Sequence, residues 1–281
     1  MNKDKVMAMI RKRSVESGVS VNTLLLTYFF ERFLARLSAS SYKTDLILKG
    51  GFLLSSIMGI ETRTTMDMDM SLRNRRMDME SIRRTVENII SVTSDDEVSF
   101  EINAAEEIKL DDKYPGYCVS IIGRLSNIRQ PFSIDIATGD PITPDAIEYR
   151  YKSAFSSEPD ITLISYNLET IIAEKLETIV SRKTDNSRSK DFYDLYLIWT
   201  LKREQLDVDK LVSAIRTTFE YRGTEYELDS ILEEIEEIRL DEGFRRRWET
   251  YCRKNAYVDR IAFDDMLDEL SNLVKSFSRY E

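Results

Sequence analysis

The sequence predicts an α+β N-terminal half followed by an all-helical C-terminal half. Strand-like and helix-like patterns mix up to about Ala137, only helical spacing recurs from Asn167 onward, and 42% of the 281 residues are apolar, ample for packed cores. No repeat or low-complexity tract interrupts that order. The expected division is residues 1–160 for the α+β domain and 161–281 for the helical one, with the boundary near Pro159 to Tyr166.

The elements follow in order. Ser20 to Leu37 reads as a helix, because Leu24, Leu25, Tyr28, Phe29, Phe33 and Leu37 recur at helical spacing. Leu46 to Leu48 is a short apolar strand that runs into Gly50 and Gly51, and Phe52 to Met58 reads as the next helix. A strand is expected at about Met66 to Leu72 and a helix at Met79 to Val92. Val98 to Ile102, Cys118 to Leu125 and Phe132 to Ala137 read as strands, the last two separated by a turn near Asn127 to Pro131. The second half carries helical patterns at Leu168 to Val180, Lys190 to Leu201, Val208 to Thr218, Leu228 to Ile238 and Phe263 to Phe277.

Composition narrows the chemistry. The chain contains no histidine, which excludes His-based triads, His general bases and His metal ligands. Asp and Glu number 50 against 40 Lys and Arg, a net charge of −10 that argues against a wholesale basic nucleic-acid binder while leaving room for local basic patches. Cys118 and Cys252 lie far apart and suggest neither a disulfide framework nor a zinc site. The stretch MNKDKVMAMIRKRSVES lacks the apolar core of a signal peptide, and no apolar run is long enough to span a bilayer, so a cytoplasmic location is expected.

The stretch RTTMDMDMSL poses the sharpest question. In a strand, Met66, Met68 and Met70 share one face while Asp67 and Asp69 share the other. The methionine face reads as buried. Two like charges on one strand face repel, and a cation resolves the conflict, although a half-exposed strand also carries acids on its solvent face. Just upstream, KGGFLLSSIMG places Gly50 and Gly51 between a strand and a helix, where backbone amides approach a phosphate unobstructed. A tight strand-to-helix turn uses the same residues. Arg63 and Thr65 add a guanidinium and a hydroxyl to the region. In PFSIDIATGD, Asp135 faces away from the apolar side formed by Phe132, Ile134 and Ile136. Three strand acids on one sheet face suit Mg²⁺, which takes carboxylate oxygens and keeps positions open for water and phosphates. Asp140, Asp111 and Asp112 read as solvated loop charges.

Lys175 is the second anomaly, because it falls inside the apolar stripe Leu168, Ile171, Ile172, Leu176 and Ile179. Such a lysine snorkels to water or else needs an anionic partner, either a nucleotide phosphate or the acid cluster. Asp191 stands near the start of the following helix, where an acid is stabilising in its own right. Arg182, Lys183, Arg188 and Lys190 read equally well as surface charges.

The ordered set KGGFLL, RTTMDMD, FSID, AEKLETIVSR and RSKDFYDLY resembles the AbiEii/AbiGii toxin family of nucleotidyltransferases, relatives of the DNA polymerase β superfamily, over roughly Leu46 to Trp199. The resemblance implies a nucleotidyltransferase-like mixed sheet flanked by helices. It implies metal acids at Asp67 and Asp69, phosphate contacts from Gly50, Gly51 and Thr65, and functional roles for Lys175 and Asp191 supplied by the helical domain. Nucleotidyl transfer needs an acceptor hydroxyl to attack the α-phosphate of an NTP in line, and two Mg²⁺ ions about 4 Å apart serve this without histidine. On this reading Asp67 and Asp69 bridge both ions, Asp135 holds the one that activates the acceptor, and Lys175 helps to grip the triphosphate. Asp191 orients either Lys175 or the nucleotide.

Family members of this kind act as toxins of bacterial toxin–antitoxin systems, some of them adding nucleotides to the 3′ end of tRNA under restraint by a cognate antitoxin. The expected partners are therefore RNA, in particular tRNA, and an antitoxin protein, with no membrane. RNA phosphates need a basic surface. Candidates are Arg73, Arg75 and Arg76, and a second cluster of Arg245, Arg246, Arg247, Arg253 and Lys254 interleaved with Trp248 and Tyr251. Both clusters also read as solvated faces. A regulatory NTP-binding module that acts on a partner, and nucleotidyl transfer to a protein or small molecule, are the competing functions.

Overall fold

Gly18 and Ser20 punctuate the start of the chain. Gly18 closes helix α1 (Lys3–Ser17) in the left-handed region at φ 72°, and the Ser20 side chain accepts the Thr23 amide to open α2 (Val21–Ala39). In this computed structural model, residues 1–108, 116–138, 140–155, 159–183, 188–258 and 261–277 are described. The chain divides into two compact units, one of Met1–Gly139 with Ile147–Ser165, the other of Asp140–Ala146 with Tyr166–Glu281.

The first unit is built on a seven-stranded mixed sheet. Its strands are β1 (Leu46–Lys49), β2 (Met68–Leu72), β3 (Val98–Ile108), β4 (Gly116–Leu125), β5 (Ile128–Ala137), β6 (Ile147–Tyr151) and β7 (Ile161–Ser165), in the order β3-β4-β5-β2-β1-β7-β6. The pairs β2–β5 and β1–β7 are parallel and the other neighbours antiparallel. Strand alternation sorts the side chains. Met68 and Met70 pair in register with Ile134 and Ile136, and all four are fully buried on one face. Phe29, Phe30 and Phe33 of α2 are also fully buried. The Phe30 ring meets Phe52 at 4.9 Å and Phe132 at 5.4 Å, both edge to face. Gly123 in β4 is required by this packing, since a Cβ there would lie 2.3 Å from the Phe29 ring. Helices α3 (Gly50–Met58) and α4 (Met79–Ile90) complete the unit, α3 against β1 and β2, α4 against α2 and β3.

The structure corrects the sequence reading at several points. The methionine strand begins only at Met68, so Met66 is 56% exposed rather than buried. The turn between β4 and β5 is the two residues Ser126 and Asn127, with Ser126 at φ 55°, tighter than the Asn127 to Pro131 expectation. Helix α1 and strands β6 and β7 were not anticipated. Asp111 and Asp112 lie outside the described residues.

The second unit is helical, with α5 (Leu168–Arg182), α6 (Ser189–Lys202), α7 (Val208–Arg222), α8 (Leu228–Leu240), α9 (Glu242–Lys254) and α10 (Phe263–Phe277). Helix α9 is a further addition to the expected set. Asn167 caps α5 by accepting the Thr170 amide and donates to the carbonyls of Thr143 and Asp145, which fastens segment 140–146 to this unit. Asp140 is no solvated loop charge: both its oxygens accept from the Arg222 guanidinium, at 3.0 and 3.1 Å. Arg222 also reaches the buried Glu177 at 2.6 Å. No helix among the described residues is long and apolar enough to cross a membrane.

Candidate active site

The strand-to-helix turn after β1 holds the site together. Gly50 sits at φ +68°, and a Cβ on it would fall 2.0 Å from Asp69 Oδ2, so the Asp69 carboxylate lies directly against the Gly50 backbone. A Cβ on Gly51 would meet Arg63 Nη2 and Thr65 Oγ1, each at 3.1 Å. The residues grouped in the sequence as a phosphate cradle therefore do converge. Arg63 is buried, its guanidinium donating to the Thr64 carbonyl and its own carbonyl accepting from Ser55 Oγ. The Thr65 hydroxyl and the Asp67 backbone close a short turn, with the Asp67 amide 3.3 Å from Thr65 Oγ1.

The acids are held differently from one another. Asp69 lies in register with Asp135 on the parallel strand β5, and with Lys49 on the antiparallel strand β1. The row continues to Cys118, which is in register with Asp135 on β4. Residues level with each other on neighbouring strands point to the same face, so Lys49, Asp69, Asp135 and Cys118 form one polar line across four strands. Asp135 Oδ1 is buried with no hydrogen-bond partner. Burial, then the hydrogen bond and charge of Asp135, push the Cys118 thiol up to about 11, so it stays protonated. Asp67 is exposed and just precedes β2.

These donors fit a hard divalent cation. Asp69 and Asp135 supply adjacent carboxylates, and one Asp135 oxygen has no protein partner to lose. Among the described residues no three His, Cys, Asp or Glu side chains converge closely enough to hold a metal ion by themselves. A pair of carboxylates suits Mg²⁺, which keeps several positions for water and substrate phosphates.

In the helical unit, Lys175 does not snorkel. Its Nζ lies 2.7 Å from Asp191 Oδ1 and 2.7 Å from Asp194 Oδ2. Burial alone would lower the ammonium's pKa, but the two carboxylates outweigh it and hold Lys175 above the ordinary lysine value. Asp191 Oδ2 is buried and unpartnered. The anionic partner demanded by the apolar stripe is thus a pair of acids three residues apart on α6, Asp191 in its first turn and Asp194, which sequence reading missed.

Residues 32–269 match the sequence profile of the family described as nucleotidyl transferase AbiEii toxin, type IV toxin–antitoxin system. The chain belongs to this family. No curated protein matches it. Two solved structures share its fold. One, a candidate nucleotidyltransferase from H. pylori, has a TM-score of 0.56 at 15% identity, covering 94% of this chain and 99% of that one. The other, JHP933 from Helicobacter pylori, has a TM-score of 0.56 at 14% identity, covering 93% and 94%. The mixed sheet followed by a helical region is accordingly a nucleotidyltransferase fold.

The basic clusters of this AbiEii chain are partly spent on structure. Arg75 pairs with Asp45 at 2.7 Å and lies over the Tyr42 ring. Arg245 donates to both oxygens of Asp264, at 3.1 Å each, and stacks 4.6 Å from the Phe263 centroid. Arg247 lies over Phe244 and 3.8 Å from Asp241. Arg246 is exposed, and Trp248 is buried with its indole N–H on the Ile261 carbonyl. Sequence reasoning also passed over Lys49. Its signal was present: it precedes Gly50 at the end of an apolar strand, just before the stretch that carries Asp67 and Asp69.

Proposed function

We propose that the chain transfers NMP from an NTP to an RNA acceptor, the 3′ end of tRNA, in a Mg²⁺-dependent reaction in the bacterial cytoplasm, and that a cognate antitoxin restrains it. The observation that carries this reading is the packing of Asp69 against Gly50, level with Asp135, beside a Gly51, Arg63 and Thr65 cradle. On this reading the cradle binds the triphosphate: the amides at the start of α3 and the Thr65 hydroxyl donate to phosphate oxygens while Arg63 supplies positive charge. Asp69 and Asp135 would hold Mg²⁺, with Asp67 at the entry to the strand. Bound there, Mg²⁺ supplies neutralisation of the charge that grows on the phosphate oxygens. The chain's own part is to fix the α-phosphate in line with the acceptor hydroxyl, worth several kcal/mol of barrier through positioning. Within the helical unit Lys175 is held by Asp191 and Asp194.

The test is to incubate the protein with each radiolabelled NTP, total RNA and Mg²⁺, then separate RNA, protein and small molecules. Label on a tRNA-sized band that Asp69→Asn abolishes supports the proposal. Label on protein or small molecules instead replaces the acceptor, and no label anywhere favours a binding module.

A further inference from the structure

A cavity of about 650 Å³ opens within the helical unit between the start of α6 and one face of α9. Five of the eight residues that line it, Arg188, Lys190, Arg246, Arg247 and Lys254, are cationic, and none is acidic. In a chain of net charge −10, a surface free of acids is a local exception that sets a positive potential. Among the described residues Lys190, Arg246 and Lys254 make no ion pair, and all three are exposed. Asp191, the acid in the first turn of α6, does not line the cavity; its carboxylate is paired with the buried Lys175.

The three consecutive arginines of α9 have separate tasks. Arg245 is held in a two-bond pair with Asp264, and Arg247, though it lines the cavity, is laid over Phe244, whereas Arg246 lines it with Lys254 and makes no ion pair among the described residues. From Arg246 to Lys254 the helix advances about 12 Å at ~1.5 Å per residue. That span exceeds a single phosphate and suits an extended polyanion.

We infer that this cleft, lined by Arg188, Lys190, Arg246 and Lys254, binds the phosphate backbone of the RNA acceptor. The inference rests on the RNA-acceptor reading above and moves the expected RNA contact from the whole run Arg245, Arg246 and Arg247 to Arg246 together with residues at the start of α6 and the end of α9. Backbone contacts position the RNA without reading its sequence, so affinity should depend steeply on salt.

The experiment compares the wild-type chain with Arg246→Gln/Lys254→Gln, and with Lys12→Gln/Arg84→Gln, which removes the same charge from exposed positions on α1 and α4 of the other unit. Fluorescence anisotropy with total tRNA is measured across a salt series, with NTP affinity and RNA labelling followed on the same preparations. The cleft variant should bind tRNA about tenfold more weakly near physiological salt, with the log–log salt slope reduced by about one per lost contact and NTP affinity retained. The control should bind like wild type. Wild-type affinity and slope in the cleft variant, with RNA still labelled, would overturn the cleft assignment alone and leave the surface to an acidic protein. An equal loss in the control would also overturn it, because total charge would then be the cause. A wild-type chain that neither binds nor labels RNA would overturn the cleft and the RNA-acceptor reading together.

Discussion

Asp69 and Asp135 lie level with each other on the adjacent parallel strands β2 and β5, with Lys49 on the far side of Asp69. Two carboxylates so placed repel, and Lys49 offsets part of the cost. Asp69→Asn should therefore leave thermal stability unchanged or slightly raised in metal-free buffer, while transfer falls by about three orders of magnitude or more. Adding Mg²⁺ should raise the wild-type melting temperature, and the variant should lose that response. An Asp69→Asn chain that still melts higher in Mg²⁺ would move the cation elsewhere.

Gly50 and Gly51 separate by the same geometry. Gly50→Ala forces a side chain into the left-handed region and onto Asp69 Oδ2, so it should cost about 1–2 kcal/mol and abolish activity by displacing the carboxylate. Gly51→Ala meets only the end of Arg63 and the Thr65 hydroxyl at 3.1 Å, which can shift. It should keep its stability and lose NTP affinity. Urea midpoints and NTP titrations of the two variants check the contrast, and equal behaviour would remove the cradle argument.

Those residues were legible because each broke a local rule: acids on alternate strand positions, paired glycines between an apolar strand and a helix, a lysine inside an apolar stripe. What the sequence hid depended on partners distant in the chain. The pairing of Lys175 with both Asp191 and Asp194 needs α5 and α6 packed together, although the two acids are three residues apart and share one helix face. Helix α9 buries only Phe244 and Trp248, a stripe too narrow to stand out among arginines. Strand β6 is an edge strand with little buried beyond Tyr151, so alternation was faint there. Met66 was misjudged because alternation cannot mark where a strand begins.

The buried Lys175 cluster changes what its substitution should do. From sequence, Lys175→Met keeps the stem and the packing. The structure leaves two buried carboxylates facing each other once the ammonium is gone, so the variant should lose about 3–5 kcal/mol. The loss should shrink in mildly acid solution, where a carboxylate takes up a proton, and should be smaller in Lys175→Met/Asp194→Asn than the two single effects added. Urea unfolding of the three variants at two pH values measures this. Strict additivity would mean that the three groups do not act as one cluster.

Glu31, on α2, gives the α+β unit a pH response of its own. It is fully buried, with Ser153 Oγ at 2.6 Å, the Ala154 amide at 2.7 Å and Tyr151 Oη at 3.1 Å. Burial pushes its carboxyl from 4.5 up to about 7, against the opposing pull of those donors and of Arg32. The folded chain thus keeps a proton that the unfolded chain gives up near 4.5. The stability this provides is fully present below that value and is lost as pH rises through about 7, a change on the order of 3 kcal/mol. Glu31→Gln keeps the shape without the titration. Across pH 5 to 8, about the range that brackets the shifted group, the wild-type urea midpoint should fall relative to that of the variant. Parallel profiles for the two proteins would show that Glu31 does not titrate in this window.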